Sequence, residues 1–237
     1  MSLTVPLSLS FAVAAEPVEV RTTLPSIGTA VAMASVVREN SNVYVIGGAL
    51  GVIPDIVNVI DTVQIYNITT GETTYGANMP TGTAAAAYGQ GPDGKIYIAG
   101  GWNSTSSSYL MRVQIYDPAL DSWSLATNFT PEPIGRSASA MGVDGKLYAF
   151  GGGWSTNTTL IYDLVTDHWV YGHDVPTTSY DSAAVAYNAT EILLIGGSGS
   201  IGQSYAYNPV NNTWTNAGAL AQPTDFGSAV VARNGLV

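Results

Sequence analysis

The sequence contains no cysteine among its 237 residues. This excludes disulfide bonds, thiolate nucleophiles and zinc sites built from cysteine. Charge is scarce as well: 10% of residues are charged, and 7 basic residues stand against 17 acidic ones, for a net charge of −10. That balance disfavours nucleic acid and anionic membrane surfaces as partners. No apolar run reaches the ~18 residues that a membrane-spanning helix needs, so no membrane span is predicted.

Apolar residues and glycine, by contrast, are plentiful. Hydrophobic residues make up 46% of the chain, which also holds 26 glycines, a composition typical of a folded protein built from strands and turns. Four short apolar runs each end in a pair of glycines, and successive pairs lie about 45 to 53 residues apart. The pairs are Gly47 and Gly48, Gly100 and Gly101, Gly151 and Gly152, and Gly196 and Gly197. Short strands repeated at this period predict a radial β-structure with one blade per repeat.

Aromatic residues follow the glycine pairs at regular spacing. A second apolar run in each unit ends in a tyrosine, and a tryptophan stands seven residues after the last three of these tyrosines. The tyrosines are Tyr66, Tyr116, Tyr162 and Tyr207, and the tryptophans are Trp123, Trp169 and Trp214. In the first unit Thr73 occupies the tryptophan position, with Tyr75 as a candidate substitute. We therefore expect the first blade to be the least well packed.

Each unit is predicted to contain four strands. Asp-Gly turns at Asp93 and Asp144 indicate hairpins between the first two strands, because glycine supplies the positive φ such turns need. Residues 18–25 align with the fourth strands, and residues 227–232 read as a first strand. The predicted fold is therefore all-β: a propeller over 16–237 with four complete blades, an N-terminal outer strand and the start of a further blade. Because that further blade lacks its remaining strands, we expect the sequence to be a C-terminally truncated fragment.

The combined pattern resembles the kelch repeat, within the galactose oxidase central-domain-like superfamily, and the resemblance covers residues 26–237. It implies that the repeating glycines and aromatics are structural, since glycines allow close backbone approach and the aromatics fill the space between blades. It also implies a non-catalytic scaffold that binds a partner. The family's arginine after the closing proline is matched only by Arg136, and the other units have Ala84, Asp181 and Ser228 nearby.

Some kelch-like propellers are enzymes, of which two types are relevant to this sequence. Copper radical oxidases use a tyrosine cross-linked to cysteine together with histidine ligands; this chain has no cysteine and only His168 and His173, so no cofactor or metal is expected. A sialic acid mutarotase or sialidase-like propeller needs convergent basic groups, for which Arg112 and Arg136 are the candidates. This carbohydrate-active enzyme, completed by residues outside the chain, is the alternative to a scaffold.

Two tryptophans outside the repeat are the main candidates for binding. Trp102 and Trp154 each follow a glycine pair, in loops that gather on one face of a propeller. Exposed loop aromatics commonly anchor proteins or sugars, so these residues predict a protein or glycan partner. The alternative is that both side chains fold back as lids over the blade ends. Asp55 and Asp61 could add acidic contacts in the corresponding loop of the first unit.

The sequence also favours an extracellular location, with a cytoplasmic one as the alternative. Residues 1–15 carry no charge, and Ala12-Val13-Ala14 resembles a signal-peptidase site, although no basic segment precedes it. Asn-x-Ser/Thr triplets, the acceptors of N-glycosylation, are more numerous than roughly two or three expected by chance. They begin at Asn67, Asn103, Asn128, Asn157, Asn188 and Asn211. Asparagine is also simply a favourable turn residue.

Overall fold

The computed structural model describes residues 28–50, 58–153, 156–199, 202–225, 227–232, 235 and 237. The candidate signal peptide at 1–15 and the predicted outer strand at 18–25 lie outside these residues. Within them, four four-stranded antiparallel sheets are formed, which confirms the four predicted blades. No helix in the described part of the chain is long and apolar enough to cross a membrane.

Each sheet is a meander in which consecutive long strands pair. Blade I contains β1 (Ser35–Glu39), β2 (Asn42–Ile46), β5 (Val63–Asn67) and β6 (Thr73–Gly76), with a short ladder of β3 (Ala49–Leu50) and β4 (Asn58–Val59) in its loop. Blade II contains β7 (Ala87–Gln90), β8 (Ile96–Ala99), β11 (Val113–Asp117) and β12 (Ser122–Leu125), with β9 (Trp102–Asn103) and β10 (Ser108–Tyr109) in its loop. Blade III contains β13 (Ala138–Met141), β14 (Lys146–Gly152), β15 (Thr156–Asp163) and β16 (His168–Tyr171). Blade IV contains β17 (Ala183–Ala186), β18 (Ile192–Ile195), β19 (Gln203–Asn208) and β20 (Thr213–Ala219).

This alternation of strand direction gives the propeller two different faces. The loops between second and third strands and the linkers between blades lie on one face, which we call the loop face. The turns between first and second strands and between third and fourth strands lie on the other, the hairpin face. Gly94 and Gly145 adopt φ of 81° and 76° in the Asp-Gly turns there, as the sequence predicts for such hairpins.

The innermost part of the described arc is a chain of hydrogen bonds from blade to blade. Met33, Ala85, Arg136 and Asp181 all have φ of 55°. The N–H of Ala85 donates to Met33 O, that of Arg136 to Ala85 O, and that of Asp181 to Arg136 O, each at 2.9 Å. Equivalent residues of successive blades therefore surround the axis in register, and Ala85 rather than Ala84 is the counterpart of Arg136.

The glycine pairs join each blade to the chain segment that enters the next one. The second glycine donates its N–H across the joint: Gly48 to Thr83 O at 2.9 Å, Gly101 to Ile134 O at 2.7 Å, Gly152 to Ser179 O at 2.7 Å and Gly197 to Thr224 O at 2.8 Å. The first glycine lies against the same segments, so that a Cβ at Gly47 would be 2.5 Å from Thr83 O. Both glycines also adopt positive φ. The predicted role of close backbone approach is confirmed.

The tyrosine and tryptophan of blade II hold blade I through a set of contacts that we call the clamp. Tyr116 is 1% exposed and lies opposite Trp123 in the sheet register. Its hydroxyl donates to Asp121 Oδ1 at 2.7 Å, and the same oxygen accepts the N–H of Ala77 in blade I at 2.6 Å. Trp123 Nε1 donates to Ala77 O at 2.8 Å. The Tyr116 ring also packs edge-on against Tyr44 of blade I, 6.0 Å between centroids.

Blades III and IV repeat the clamp, except that Trp169 Nε1 in blade III has no hydrogen-bond partner among the described residues, whereas Trp214 Nε1 in blade IV donates to His173 O at 2.7 Å. In blade III, Tyr162 donates to Asp167 Oδ1 at 2.7 Å, and Asp167 Oδ2 accepts Thr127 N of blade II at 2.7 Å. In blade IV, Tyr207 donates to Asn212 Oδ1 at 2.8 Å, and that oxygen accepts His173 N of blade III at 2.6 Å. Thus the three predicted aromatic pairs are structural, and each reaches the preceding blade through an acceptor five residues after its tyrosine.

Blade I lacks these features. Tyr66 is only half-buried, and Gly71, with φ of 75°, stands where the other blades have Asp or Asn. The register places Thr73 opposite Tyr66, and Tyr75 is 57% exposed. Tyr75 therefore does not occupy the place of the missing tryptophan opposite Tyr66. The segment that would precede blade I lies mostly outside the described residues, so the expectation of a less well packed first blade stays a prediction.

The predicted first strand at 227–232 is not formed. These residues are described, but they lie outside any strand, and residues 227–230 line a cavity at the axis. A strand requires a hydrogen-bonded partner, and none of the described residues pairs with this segment.

Candidate functional site

A cavity of about 710 Å³ lies among the first strands of the blades. Most of its wall is small or apolar, with Ala32, Ala34, Ala86 and Ser182 among the lining residues. Pockets of this size and character are common ligand sites. The charged residues of the wall are Arg38, Arg136 and Asp181.

Arg136 and Asp181 form an ion pair between neighbouring blades. Arg136 Nε donates to Asp181 Oδ1 at 2.9 Å, and Nη2 forms a second, shorter contact with Oδ2. The Asp181 side chain is 4% exposed and that of Arg136 is 17% exposed. The guanidinium also lies 4.9 Å from the centroid of the Tyr180 ring, and the hydrogen bond with Asp181 raises the pKa of Arg136. The pair is thus a bidentate, buried contact of the strong kind, and the positive charge of Arg136 is balanced locally.

Trp102 begins a small hairpin on the loop face of blade II. It pairs with Tyr109 in the register of β9 and β10, and the two rings meet edge-on with centroids 5.3 Å apart. The backbone of Trp102 exchanges hydrogen bonds of 2.7 and 3.0 Å with Ala84. The side chain is half-buried, and its indole nitrogen is buried without a hydrogen-bond partner among the described residues. A side chain placed in this way matches the alternative of a lid over the blade end more closely than it matches a fully exposed binding anchor.

Next to this hairpin, three exposed side chains form what we call the loop-face patch: Met111, Arg112 and Phe129. Thr130 N donates to Met111 O at 2.9 Å, which brings the two segments together. The Arg112 guanidinium lies 5.6 Å from the centroid of the Phe129 ring. Met111 is 38% exposed and Phe129 59% exposed. Arg112 therefore belongs to a surface patch, whereas Arg136 lines the cavity, and the structure does not bring the two arginines into one site.

The other candidates are dispersed. Trp154 and Asp55 lie outside the described residues, and Asp61 Oδ1 accepts from Asn78 at 3.4 Å. The exposed ring of His168 contacts Thr166 O, while His173 contacts Asn212 through its backbone. Among the residues that the structure describes, no three His, Asp or Glu side chains converge so as to hold a metal ion.

Sequence reasoning missed several polar residues of the joints. Each clamp tyrosine is followed five residues later by the acceptor of its hydroxyl: Asp121, Asp167 and Asn212. This constant spacing is a sequence signal that could have identified them. Gln114 is also buried, and its amide bonds both N and O of Thr81 in the preceding linker, at 2.8 and 2.9 Å. Gln64 does the same with Thr29.

Comparison with known proteins supports the family resemblance. The kelch motif model matches residues 92–130 and 135–174, which fall in blades II and III, the two blades with Asp-Gly hairpins and clamp aspartates. The chain is 28% identical over 201 residues to the kelch-like protein terF of Aspergillus terreus, covering 74% of this chain and 42% of that protein. It is 31% identical over 120 residues to an F-box/kelch-repeat protein of Arabidopsis thaliana, covering 50% of this chain and 30% of the relative. The chain therefore spans less than half the length of these relatives.

A solved structure shows the same fold. The structure of YjhT superposes with a TM-score of 0.71 at 18% sequence identity, covering 87% of this chain and 76% of that one. Two blades thus match the kelch motif, the chain resembles kelch-repeat proteins in the glycine-pair joints and aromatic clamps, and the solved structure shows the same β-propeller fold.

Proposed function

We propose that this protein is a non-catalytic, extracellular scaffold that binds a protein partner through the loop face, with the loop-face patch at the centre of the contact. Kelch propellers are commonly protein-binding. The observation that carries the proposal is the exposed stacking of Arg112 on Phe129 beside Met111. Arginine, methionine and aromatic residues are enriched in protein interfaces, whereas most other surface residues are not.

Two features favour a protein over a glycan at this face. Sugar binding relies on an open aromatic platform, but Trp102 packs against Tyr109 and buries its indole nitrogen. The loop-face patch instead offers a cation and flexible apolar surface, which suit a protein contact.

The residues at the axis support a non-catalytic role. The guanidinium of Arg136 is hydrogen-bonded to Asp181, and most of the other residues in the cavity wall have small side chains. Catalytic sites typically hold ionisable groups whose pKa values are shifted and which substrate can reach. In the cavity wall, the hydrogen bond with Asp181 raises the pKa of Arg136, and burial raises the pKa of Tyr88. Because Arg136 is held in an inter-blade contact, we assign the pair to structure. The extracellular location rests on the uncharged N-terminal segment and the excess of Asn-x-Ser/Thr triplets.

The proposal is tested by comparing two double variants of the full chain. Arg112→Ala with Phe129→Ala removes the loop-face patch, and Val165→Ala with Val210→Ala alters two exposed turn residues of the hairpin face. Each immobilised protein is incubated with extracellular protein from the source organism, and the captured proteins are identified and purified for affinity measurement. We expect a partner held by wild type and by the hairpin-face variant to bind the patch variant at least about tenfold more weakly, since interface anchors dominate affinity. Unchanged binding to a patch variant that remains folded would contradict the proposal.

A further inference from the structure

The six glycosylation triplets occupy very different environments in the fold. Asn103 is 8% exposed. Its Nδ2 donates to Gly82 O at 2.7 Å, and its Oδ1 accepts Ser106 N at 2.8 Å. A glycan on this nitrogen would have to pass through the packed base of the β9–β10 hairpin. The folded protein therefore has no room for a sugar at Asn103.

Asn128 lies in the joint between blades II and III. Its Nδ2 donates to Asp167 O at 2.6 Å, and its N–H reaches Asp167 Oδ2 at 3.2 Å. The adjacent Thr127 N also donates to Asp167. Glycosylation replaces one of the two amide hydrogens with a sugar carbon, so a glycan here would crowd the clamp that holds two blades together.

Two further asparagines are half-buried. Asn67 Nδ2 donates across the sheet to Asn42 Oδ1 at 3.1 Å, and its Oδ1 accepts backbone N–H groups from its own turn. Asn157 lies within β15, where its carbonyl oxygen accepts Val175 N at 2.7 Å. Both residues are therefore only partly open to solvent.

Asn188 and Asn211 differ from these four. Both are exposed, as Asn128 is, but they lie in turns of blade IV on the hairpin face and not in a joint between blades. The Asn188 side chain contacts only its own turn, through Glu191 Oε2 at 2.7 Å and Thr190. No described residue hydrogen-bonds the side chain of Asn211. Asn211 also adjoins Val210, which is 79% exposed and which an attached sugar would shield.

We infer that N-glycans are carried by Asn188 and Asn211 alone, on the hairpin face of blade IV, and that the loop face stays free of sugar. This rests on the proposed extracellular location. The reaction forms a bond between Nδ2 and the anomeric carbon of a lipid-pyrophosphate-linked oligosaccharide; the pyrophosphate leaves with the bonding electrons, and the amide loses one proton. A glycan can be added before folding, but only chains modified at compatible positions reach the folded, secreted form.

The test secretes the full chain from a eukaryotic cell in two forms, one behind an established secretory leader and one with its own N-terminus. The monomeric fraction is treated with peptide N-glycosidase in heavy-oxygen water, and mass spectrometry then identifies each converted asparagine. Asn188→Gln and Asn211→Gln should each remove one glycan, and the double variant should remove both. As a control, Asn128→Gln should leave the number of glycans unchanged.

Glycans at Asn188 and Asn211, with none at the other four positions, support the inference. A glycan at any of the other four in the folded fraction, or no glycan at either Asn188 or Asn211 in the leader form, overturns it. If only the form with its own N-terminus lacks glycans, the proposed extracellular location fails while the inference on acceptor positions stands.

Discussion

Blades III and I share a sequence pattern but differ in the residues that face the preceding part of the chain. Blade III buries Tyr162 to 1% exposure, stacks it on Trp169 with centroids 4.9 Å apart, and binds blade II through Asp167. Blade I presents a half-buried Tyr66, a glycine at position 71 and a threonine at position 73. Both blades nevertheless have complete four-stranded sheets.

This difference separates two jobs that the repeat performs. The apolar strands and hairpin turns are enough to build one blade, whereas the clamp joins one blade to the blade before it. Blade I therefore lacks the clamp and still forms a complete four-stranded sheet. We expect its removal to weaken the joints between blades more than the blades themselves.

The largest effect should come from removing a clamp ring. Tyr162→Ala deletes a fully buried aromatic side chain and its hydrogen bond to Asp167, so we expect a loss of about 3–5 kcal/mol in the free energy of unfolding. Tyr66→Ala, at the matching position of blade I, should cost only about 1 kcal/mol because less surface is buried. Urea denaturation measures both, and Tyr162→Phe isolates the hydroxyl. Equal losses for the two alanine variants would remove the distinction between the blades.

A smaller effect is expected where a glycine joins two blades. A Cβ at Gly151, which has φ of 59°, would collide with Ser179 O of the next linker. Gly151→Ala should therefore cost about 3 kcal/mol from overpacking and backbone strain together. Gly94→Ala is the control, since φ is 81° there and nothing lies within 4 Å of the added methyl, and it should cost about 1 kcal/mol. A Gly151→Ala chain as stable as the control would show that the glycine pair is not a joint.

The clamps should also differ in their response to acid. The backbone N–H of Ala77 and the hydroxyl of Tyr116 lower the pKa of Asp121. At Asp167, burial raises the pKa, but hydrogen bonds from Tyr162, Thr127 and Asn128 outweigh it, and the net shift is downward from 3.8. A lowered pKa in the folded state means that the stabilisation is full above the ordinary aspartate pKa and is lost as pH falls through the folded-state value.

Thermal unfolding below about pH 4 therefore tests these two joints. In the double variant Asp121→Asn with Asp167→Asn, the unfolding temperature should fall less steeply as pH is lowered. Asn212→Asp should add acid sensitivity to the joint between blades III and IV. An unchanged profile in either variant would show that the carboxylates do not contribute to the joints.

The smallest effect is a gain in stability. Thr159 is fully buried in blade III, and its hydroxyl has no hydrogen-bond partner among the described residues. Val63 and Val113 occupy the same position in blades I and II. Thr159→Val keeps the shape and removes an unsatisfied hydroxyl, so we expect a gain of about 1 kcal/mol. A loss of stability in urea denaturation would indicate that the hydroxyl is satisfied in solution.

The sequence predicts the fold well because its strongest signals are local and repeated. The glycine pairs, the tyrosines and the tryptophans recur at fixed spacing, and the glycine pairs and the aromatic pairs of blades II to IV have the predicted structural role. Thr73 predicts a weaker joint between blade I and the segment before it, most of which lies outside the described residues. The prediction that Tyr75 takes the place of the missing tryptophan was wrong, because the hairpin register places Thr73 opposite Tyr66. That register depends on turn geometry, which the spacing alone does not reveal.

The candidate site was less predictable, for physical reasons. Arg136 and Asp181 are distant in sequence and meet only because left-handed residues of successive blades stand side by side at the axis. The stacking of Arg112 on Phe129 likewise joins the ends of two different strands. Such pairs depend on tertiary placement, which composition and periodicity do not encode.

Amide hydrogen exchange followed by mass spectrometry is the most direct test of the central claim that clamps, and not the sheets alone, hold the blades together. Strands that share the same position in each blade can be compared in one experiment on the unmodified chain. We predict that β15 and β16 of blade III exchange more slowly than β5 and β6 of blade I, and that Tyr162→Phe narrows the difference. Equal or slower exchange in blade I would contradict the account.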